Sequence, residues 1–416
     1  MSTGEHRSSA PHLTHKGNRK DTRYGWLRLT PAYSLTLVGE LLQGLRDDDC
    51  VLDPFCGTGT TALLCAERGI RSVTTDINPF LIWLTKTKTA RYCNSDLAEF
   101  DRRSHNVDDA IGALRLTSEW LPPLHQIEKW WDQIALHALG RAMASIRASD
   151  TTRPADDLLR IVFCRIAIET AAVSFAHQSM SFKQRLDEQQ QLAAGERLSR
   201  LREEWQHAAA SVRSAAADVE PVASSSVLLL DARNLSEQID RGSIARVITS
   251  PPYPNRMSYI RELRPYLYWL GYIEDAKAAA ELDWTAIGGT WGTATSRVGK
   301  WQPSERRVIG YEQFDEILEQ VADSGKSGPL LSRYIHKYFF DIVEHIDQLH
   351  SVMAPGALAY YIVGNSKFYG TLLPVQDVYR AIFEARGFTG VSARAFRKRS
   401  SKKELFEYVV EAQRPG

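Results

Sequence analysis

The stretch that most constrains how this chain can fold is Val51-Leu52-Asp53-Pro54-Phe55-Cys56-Gly57-Thr58-Gly59-Thr60-Thr61. A short apolar run ends in Asp-Pro, turns through two glycines, and enters a segment of helical spacing, Ala62 to Arg68, that stops at Gly69. Glycines placed after a buried strand let the backbone approach a ligand closely, and the N-terminus of the helix that follows favours negative charge. Ser72-Val73-Thr74-Thr75-Asp76 then reads as a second strand with an acid at its tip, where a carboxylate can accept both ribose hydroxyls of a nucleoside cofactor. Strand, glycine turn, helix, strand is how a doubly wound, parallel α/β sheet begins. No Gly-Lys-Ser/Thr follows, which excludes a Walker phosphate loop, and no third glycine stands where a dinucleotide fingerprint needs one.

The α/β rhythm is then interrupted. From about residue 96 to about residue 224 the pattern is helical with almost no strand signal. Leu158 to Phe175 is apolar nearly all round, as expected of a helix buried among others, whereas Gln184 to Val219 alternates in charge and reads as a long exposed helix or hairpin. Strands resume at Val227 to Asp231 and Ala245 to Thr249, separated by a helix-length segment, and a helix follows from Tyr259 to Tyr272. Residues 283 to 328 read as a long loop with one short helix, Tyr311 to Val321, inside it. An amphipathic helix (Tyr334 to Met353), a buried strand (Ala357 to Val363), a helix ended by Gly387 and two closing strands complete the pattern. The expected organisation is a flexible basic arm over residues 1–22, one half of an α/β domain over 23–95, a helical insertion over 96–224, and the other half over 225–416.

A second constellation, Thr249-Ser250-Pro251-Pro252-Tyr253, directly follows a buried strand. Two prolines fix the backbone and remove two donors, so the carbonyls can face a ligand without competing amides. The neighbouring tyrosine offers a flat face for a base. On its own, such a tetrad is an ordinary rigid turn; at a strand tip following the glycine loop, it reads as a site.

Together these motifs resemble the SAM-dependent DNA amino-methyltransferases, in which SAM is S-adenosylmethionine. Asp53 to Thr61 is similar to the family's motif I, Tyr24-Gly25-Trp26-Leu27-Arg28-Leu29-Thr30-Pro31 to motif X, and Leu230-Asp231-Ala232-Arg233-Asn234-Leu235 to motif III. Ser250 to Tyr253 resembles motif IV, which reads Asp/Asn-Pro-Pro-Tyr in most adenine-N6 enzymes and typically Ser-Pro-Pro-Tyr in cytosine-N4 enzymes. Tyr360 to Ser366 resembles the strand and tip that flank the substrate pocket, although for Asn365 and Ser366 a plain turn is an equal reading. The resemblance implies a Rossmann-like class I methyltransferase fold carrying a large helical insertion. It also implies that Asp53, Pro54, Phe55, Cys56, Gly57, Gly59 and Thr60 surround SAM, that Asp76 and Ile77 hold its ribose, and that Asp231 and Ala232 hold its adenine. Ser250, Pro251, Pro252 and Tyr253 would be catalytic: the Ser250 hydroxyl and Pro251 carbonyl accept from the target amino group, and Tyr253 stacks on the flipped base. Motifs III and IV are adjacent here and the insertion precedes motif III, unlike the commonest motif orders.

The formal net charge is only +1, so a nucleic-acid partner has to be read from local clusters. Lys16, Arg19, Lys20 and Arg23 lie near the N-terminus. Arg297, Lys300, Arg306 and Arg307 flank Trp301, with Arg256 just past the Pro-Pro-Tyr turn, and Arg394, Arg397, Lys398, Arg399, Lys402 and Lys403 lie near the C-terminus. The 283–328 segment, with Trp291 and Trp301 among its cations, is the expected target reader. Five cysteines without a Cys-x-x-Cys pair argue against a disulfide framework or a zinc site. No apolar run approaches the ~18 residues needed to span a bilayer, and no signal peptide is evident, so a prokaryotic cytosolic location is expected.

The expected function is methylation of an exocyclic amino group, cytosine N4 in double-stranded DNA, within a restriction-modification or defence system that can include a partner endonuclease. Adenine N6 in DNA, or an RNA base amino group, is the alternative. A silent methyltransferase-like scaffold that binds nucleic acid is the second.

Overall fold

The computed structural model describes residues 22–27, 29, 33–114, 118, 120–148, 154–174, 181–182, 193–218, 221–290, 293–305, 307–399 and 404–416. Residues 1–21 of the expected flexible arm, Arg28, Thr30, Pro31, Trp291, Arg306, Lys402 and Lys403 lie outside the described residues.

A single 3-10 turn (Arg23–Gly25) leads to α1 (Leu35–Leu41), whose first turn is capped by the Ser34 hydroxyl accepting from the Leu37 amide. The apolar run becomes β1 (Cys50–Asp53), in which Val51 and Leu52 are fully buried. Gly59, left-handed at φ 76°, opens α2 (Thr60–Glu67). A Cβ there would stand 2.7 Å from Thr85 Oγ1, so glycine permits both the turn and the close packing of the next helix. β2 (Arg71–Asp76) leads to α3 (Pro79–Thr89), which Asn78 caps and Pro79 starts.

Then come α4 (Asn94–Gly112), α5 (Gln133–Arg147), α6 (Pro154–Glu169), the two-residue strands β3 (Val173–Ser174) and β4 (Ser181–Phe182), and α7 (Ala194–Asp218). The sheet resumes with β5 (Ser225–Leu229) and, after a 3-10 segment (Ala232–Glu237) where a full helix was expected, β6 (Ile244–Thr249). Next are α8 (Tyr259–Trp269), α9 (Ala276–Thr285), α10 (Thr293–Lys300), α11 (Phe314–Ala322) and α12 (Gly328–Val352). The chain ends with β7 (Met353–Gly364), the hairpin β8 (Ser366–Phe368) and β9 (Thr371–Leu373), α13 (Val375–Ala385), β10 (Thr389–Lys398) and β11 (Phe406–Gln413).

The strands form a seven-stranded sheet of order β10-β11-β7-β6-β1-β2-β5. Its β7-β6-β1-β2-β5 part is parallel and its β10-β11-β7 edge antiparallel, as in a Rossmann-like methyltransferase fold. Strand order reverses between β1 and β6, and a crevice beyond the carboxyl ends of strands at such a switch point is where open α/β sheets take ligands. Thr249 at the end of β6 donates its hydroxyl to Asp53 at the end of β1 (2.7 Å), stitching the two tips together.

Two readings of the sequence are corrected here. The 194–218 segment is not an exposed helix, because Leu198, Leu201, Trp205, Ala208, Val212 and Ala215 form a buried stripe at helical spacing beneath the charged face. It belongs to an apolar core that runs from Phe80 on α3 through α4 to α7 and on to Trp269 on α8, so the helical region packs continuously against the sheet's own helices. The short helix expected within 283–328 is present as α11, but the stretch around it is not a long loop. The whole segment holds the end of α9, α10 and α11, whose Ala294, Val298, Phe314, Ile317 and Val321 are buried, and their short apolar patterns form helices by packing on α12 rather than by local periodicity. Among the described residues no helix is long and apolar enough to cross a membrane.

Candidate active site

A cavity of about 420 Å³ opens over the switch point. The tip of β1 contributes Pro54, Phe55 and Gly57, β2 contributes Asp76, Ile77 and Asn78, β5 contributes Leu230, Asp231 and Ala232, and β6 contributes Ser250 to Tyr253. Four motifs separated by up to two hundred residues therefore meet in one space. Asp53, Cys56, Gly59 and Thr60 do not line it. They are buried one layer below, where Asp53 accepts from the Tyr33 hydroxyl (2.9 Å), the Thr249 hydroxyl and the Phe55 amide (3.2 Å). Burial pushes the Asp53 carboxyl up to about 7, against the lowering pull of those hydrogen bonds. Its function in the fold is to hold α1, β1 and β6 in register.

Asp76 is open to the cavity. Its Oδ1 accepts from the Asn78 amide (2.9 Å) and its Oδ2 from the Gly57 amide (3.4 Å), which aims the carboxyl across the glycine turn. Burial raises its pKa to about 6, partly offset by these amides. Asn78, beside it, carries a buried Nδ2 with no acceptor among the described residues. Two acceptor oxygens, an unpaired amide donor and a glycine loop fit the ribose and amino-acid portions of SAM. Below the loop, the buried Lys88 ammonium donates to the Thr58 carbonyl (2.9 Å), and burial drops its pKa to about 7.

Asp231 lines the cavity but is already engaged. Burial would raise its carboxyl, yet two hydrogen bonds and the charge of Arg233 hold it below the usual range, with Arg233 Nη2 at 2.6 Å from Oδ2. Sequence patterns did not point to His345, which sits fully buried behind this corner. Its ring bonds to the Ala232 carbonyl (2.8 Å) and the Tyr361 hydroxyl (2.5 Å) and meets Phe55 edge-on, and burial lowers its pKa to about 4, so the imidazole is neutral. As a single polar residue on an amphipathic helix, outside any motif, this histidine carries no signal in sequence.

At the β6 tip, Ser250 Oγ donates to the Ile362 carbonyl of β7 (3.1 Å). A hydroxyl whose one proton is committed offers only lone pairs to the cavity. The Tyr253 ring lies against Gly364, where an added Cβ would stand 2.9 Å from Tyr253 Cε2, and beneath the Arg399 guanidinium 5.4 Å from the ring centre. Arg399 in turn donates to the Asn365 carbonyl (3.1 Å). Tyr33, Asn255, Tyr259 and Asp283 also line the cavity and were missed, being single residues on segments with no motif, and Arg399, expected only as part of the C-terminal basic cluster, lines it too.

The cationic expectations are revised. Arg23 is fully buried, donating to the carbonyls of Lys88 (2.9 Å) and Ala216 (2.7 Å), so it pins the entry segment to α3 and α7. Arg297 is paired with Glu281 and Arg307 with Glu305 and Glu344, Arg307 stacking 3.9 Å from the Phe340 ring. Trp301 packs edge-on to His336 and Phe340 on α12, and Arg397 is paired with Glu407. Arg256, Lys300 and Lys398 are exposed. The expected cluster around Trp301 is therefore largely consumed in holding α10 and the following segment to their neighbours.

Comparison with known proteins agrees with this geometry. Residues 39–87, the segment carrying the glycine turn and Asp76, match the family model for N6/N4 methyltransferases, described as DNA methylase. Over 95% of its length the chain is 23% identical to the Type II methyltransferase M.BsoBI of Geobacillus stearothermophilus, of which 85% is covered. It is 22% identical to the Type II methyltransferase M.AvaI of Nostoc sp., with 90% of this chain and 81% of that protein aligned. A 44-residue stretch is 43% identical to the Type II methyltransferase M.MjaII of Methanocaldococcus jannaschii, covering 11% of this chain and 8% of that protein. With the motifs converging at the sheet's switch point and relatives aligned over nearly the whole chain, this protein is similar to DNA amino-methyltransferases of the N6/N4 type.

Proposed function

We propose that the chain methylates cytosine N4 of a base flipped out of double-stranded DNA, as the modifying enzyme of a restriction-modification system. The observation that carries this reading is Ser250-Pro251-Pro252-Tyr253 at the tip of β6, with the Ser250 hydroxyl turned by Ile362 into an acceptor. Serine at the first position is the form that resembles cytosine-N4 enzymes, and the relatives aligned along the chain are named Type II methyltransferases.

An amino nitrogen conjugated to a base ring is a poor nucleophile. Catalysis must hold its two hydrogens so that the lone pair faces the methyl donor, and must stabilise the nitrogen as it becomes tetrahedral. Ser250 Oγ and the Pro251 carbonyl would accept those hydrogens. Tyr253 would stack on the base, which has to leave the duplex to reach the cavity. Phe55, Gly57, Asp76, Asn78, Asp231 and Ala232 would hold SAM, with Asp76 on the ribose hydroxyls and Asp231 toward the adenine amino group. SAM supplies an electrophilic methyl on a sulfonium leaving group.

Duplex DNA, RNA and labelled SAM incubated with the protein, followed by mass spectrometry of the nucleosides, tests the reading. N4-methylcytosine in DNA is the expected product. N6-methyladenine would move the target to the alternative base, a methylated RNA nucleoside would move the substrate, and no transfer at all would favour a binding scaffold.

A further inference from the structure

The Pro-Pro-Tyr turn is gripped from α12 at two points one helical turn apart. The Tyr338 hydroxyl donates to the Pro252 carbonyl (2.8 Å) and lies 2.9 Å from the Tyr379 hydroxyl on α13. A phenol has one proton to give, so with the Tyr338 proton on Pro252, Tyr379 must donate to Tyr338. Four residues earlier on the same face of α12, the Tyr334 hydroxyl accepts from the Arg256 amide (3.3 Å). Arg256 is left-handed at φ 63°, a conformation costly for a non-glycine residue and sustained only where the surroundings hold it. Tyr338 and Tyr379 are 1% and 0% exposed, so bulk water cannot stand in for either hydroxyl.

The two carbonyls of the proline pair are therefore in different states. Pro252's is occupied by Tyr338, whereas no hydrogen bond from the described residues engages that of Pro251, which lines the cavity beside Ser250. The chain has closed off one acceptor and left the other for the target amino group. We infer that Tyr338 is a positioning residue for methyl transfer: its hydroxyl, oriented by Tyr379, fixes the Pro252–Tyr253 peptide plane so that the Pro251 carbonyl and the Tyr253 ring are presented together to the base. The inference rests on the amino-methyltransferase function proposed above.

Single-turnover methyl transfer at saturating SAM and duplex DNA, measured for the wild type, Tyr338→Phe, Tyr379→Phe and the double variant, tests it. Tyr338→Phe keeps the ring and its packing. It is expected to slow transfer about tenfold or more while the dissociation constants for SAM and DNA change by less than about twofold. Tyr379→Phe is expected to show a smaller loss of the same kind, and the double variant to be no slower than Tyr338→Phe, because both act through one carbonyl. A Tyr338→Phe variant as fast as the wild type overturns the positioning role and leaves the methyltransferase function standing. A variant that loses SAM and DNA affinity in step with rate shows packing instead, and overturns it too. If Tyr338→Phe fails to fold, Tyr379→Phe decides by the same two criteria. A wild type that methylates no nucleic acid removes the function and the inference together.

Discussion

Asp76 and Tyr253 show how local environment sets what a side chain can do. Asp76 has its pKa raised to about 6 by burial, while accepting ribose hydroxyls requires the ionised form. Below pH 6 the carboxyl is protonated in the free protein and must lose that proton on binding, so SAM affinity is expected to fall by up to about tenfold per pH unit and to level off above pH 7. Asp76→Ala is expected to weaken SAM binding by about 1.5 kcal/mol or more, the cost of removing charge-assisted hydrogen bonds, and to flatten that pH dependence. Titration calorimetry between pH 5 and pH 8 measures both, and equal affinity in a folded variant would remove Asp76 from the ribose site. Tyr253 has no charge to tune and contributes a face. Tyr253→Ala is expected to reduce methyl transfer by about a hundredfold or more with SAM affinity nearly intact, whereas activity above about a tenth of wild type would mean that the ring is packing. Both residues were legible in sequence, because each ends an apolar strand run and stands beside turn-forming residues. Asp53 was legible as part of a motif but not in its place, since only the fold shows it beneath the cavity and bonded to Thr249 and Tyr33.

At the scale of elements, the site depends on what the strand ends leave out as much as on what they carry. Gly364 ends β7 against the Tyr253 ring, and any Cβ would meet both that ring and the Arg399 guanidinium at 2.9 Å. Arg399 can swing away but the ring cannot without leaving its seat. Gly364→Ala is therefore expected to lower methyl transfer by at least about tenfold while shifting the melting temperature by only a few degrees, measured by calorimetric melting beside a transfer assay. Loss of stability without a disproportionate loss of rate would place Gly364 in the framework alone. The strands of the parallel sheet were readable from short apolar runs, those of β1, β2, β5 and β6 leading into acids or prolines. Helix α11 was read as the short helix Tyr311 to Val321, but α9 and α10 were not, because each is about ten residues or shorter, and helices that short are stabilised by tertiary burial rather than by a periodic pattern long enough to register. The connection from β5 to β6 was overread as a helix, since length alone cannot separate a 3-10 turn with flanking loops from one.

Across the whole molecule, the remaining question is where DNA would lie. Arg297, Arg307 and Arg397 are committed to carboxylates, while Arg256, Lys300 and Lys398 are exposed, with Arg256 just past the Pro-Pro-Tyr turn. Replacing Arg256, Lys300 and Lys398 together by Ala is expected to weaken DNA binding and to reduce its log–log salt slope by up to about 0.9 for each phosphate that is no longer neutralised, with SAM binding unchanged. Arg297→Ala is expected to leave the slope alone. Fluorescence anisotropy at several salt concentrations checks this, and an unchanged slope in the triple variant would move the DNA surface elsewhere. What the sequence by itself determined is the type of sheet and where its motif turns fall: glycine turn, strand-tip acids and Ser-Pro-Pro-Tyr are local patterns whose physical demands are met within a few residues of chain. What only the tertiary structure decided is which side chains are free. Whether an arginine meets a phosphate or a neighbouring glutamate, and whether a proline carbonyl faces the cavity or a tyrosine hydroxyl, depend on groups brought together from distant parts of the chain. Their pairing is set by packing, which residue spacing does not encode.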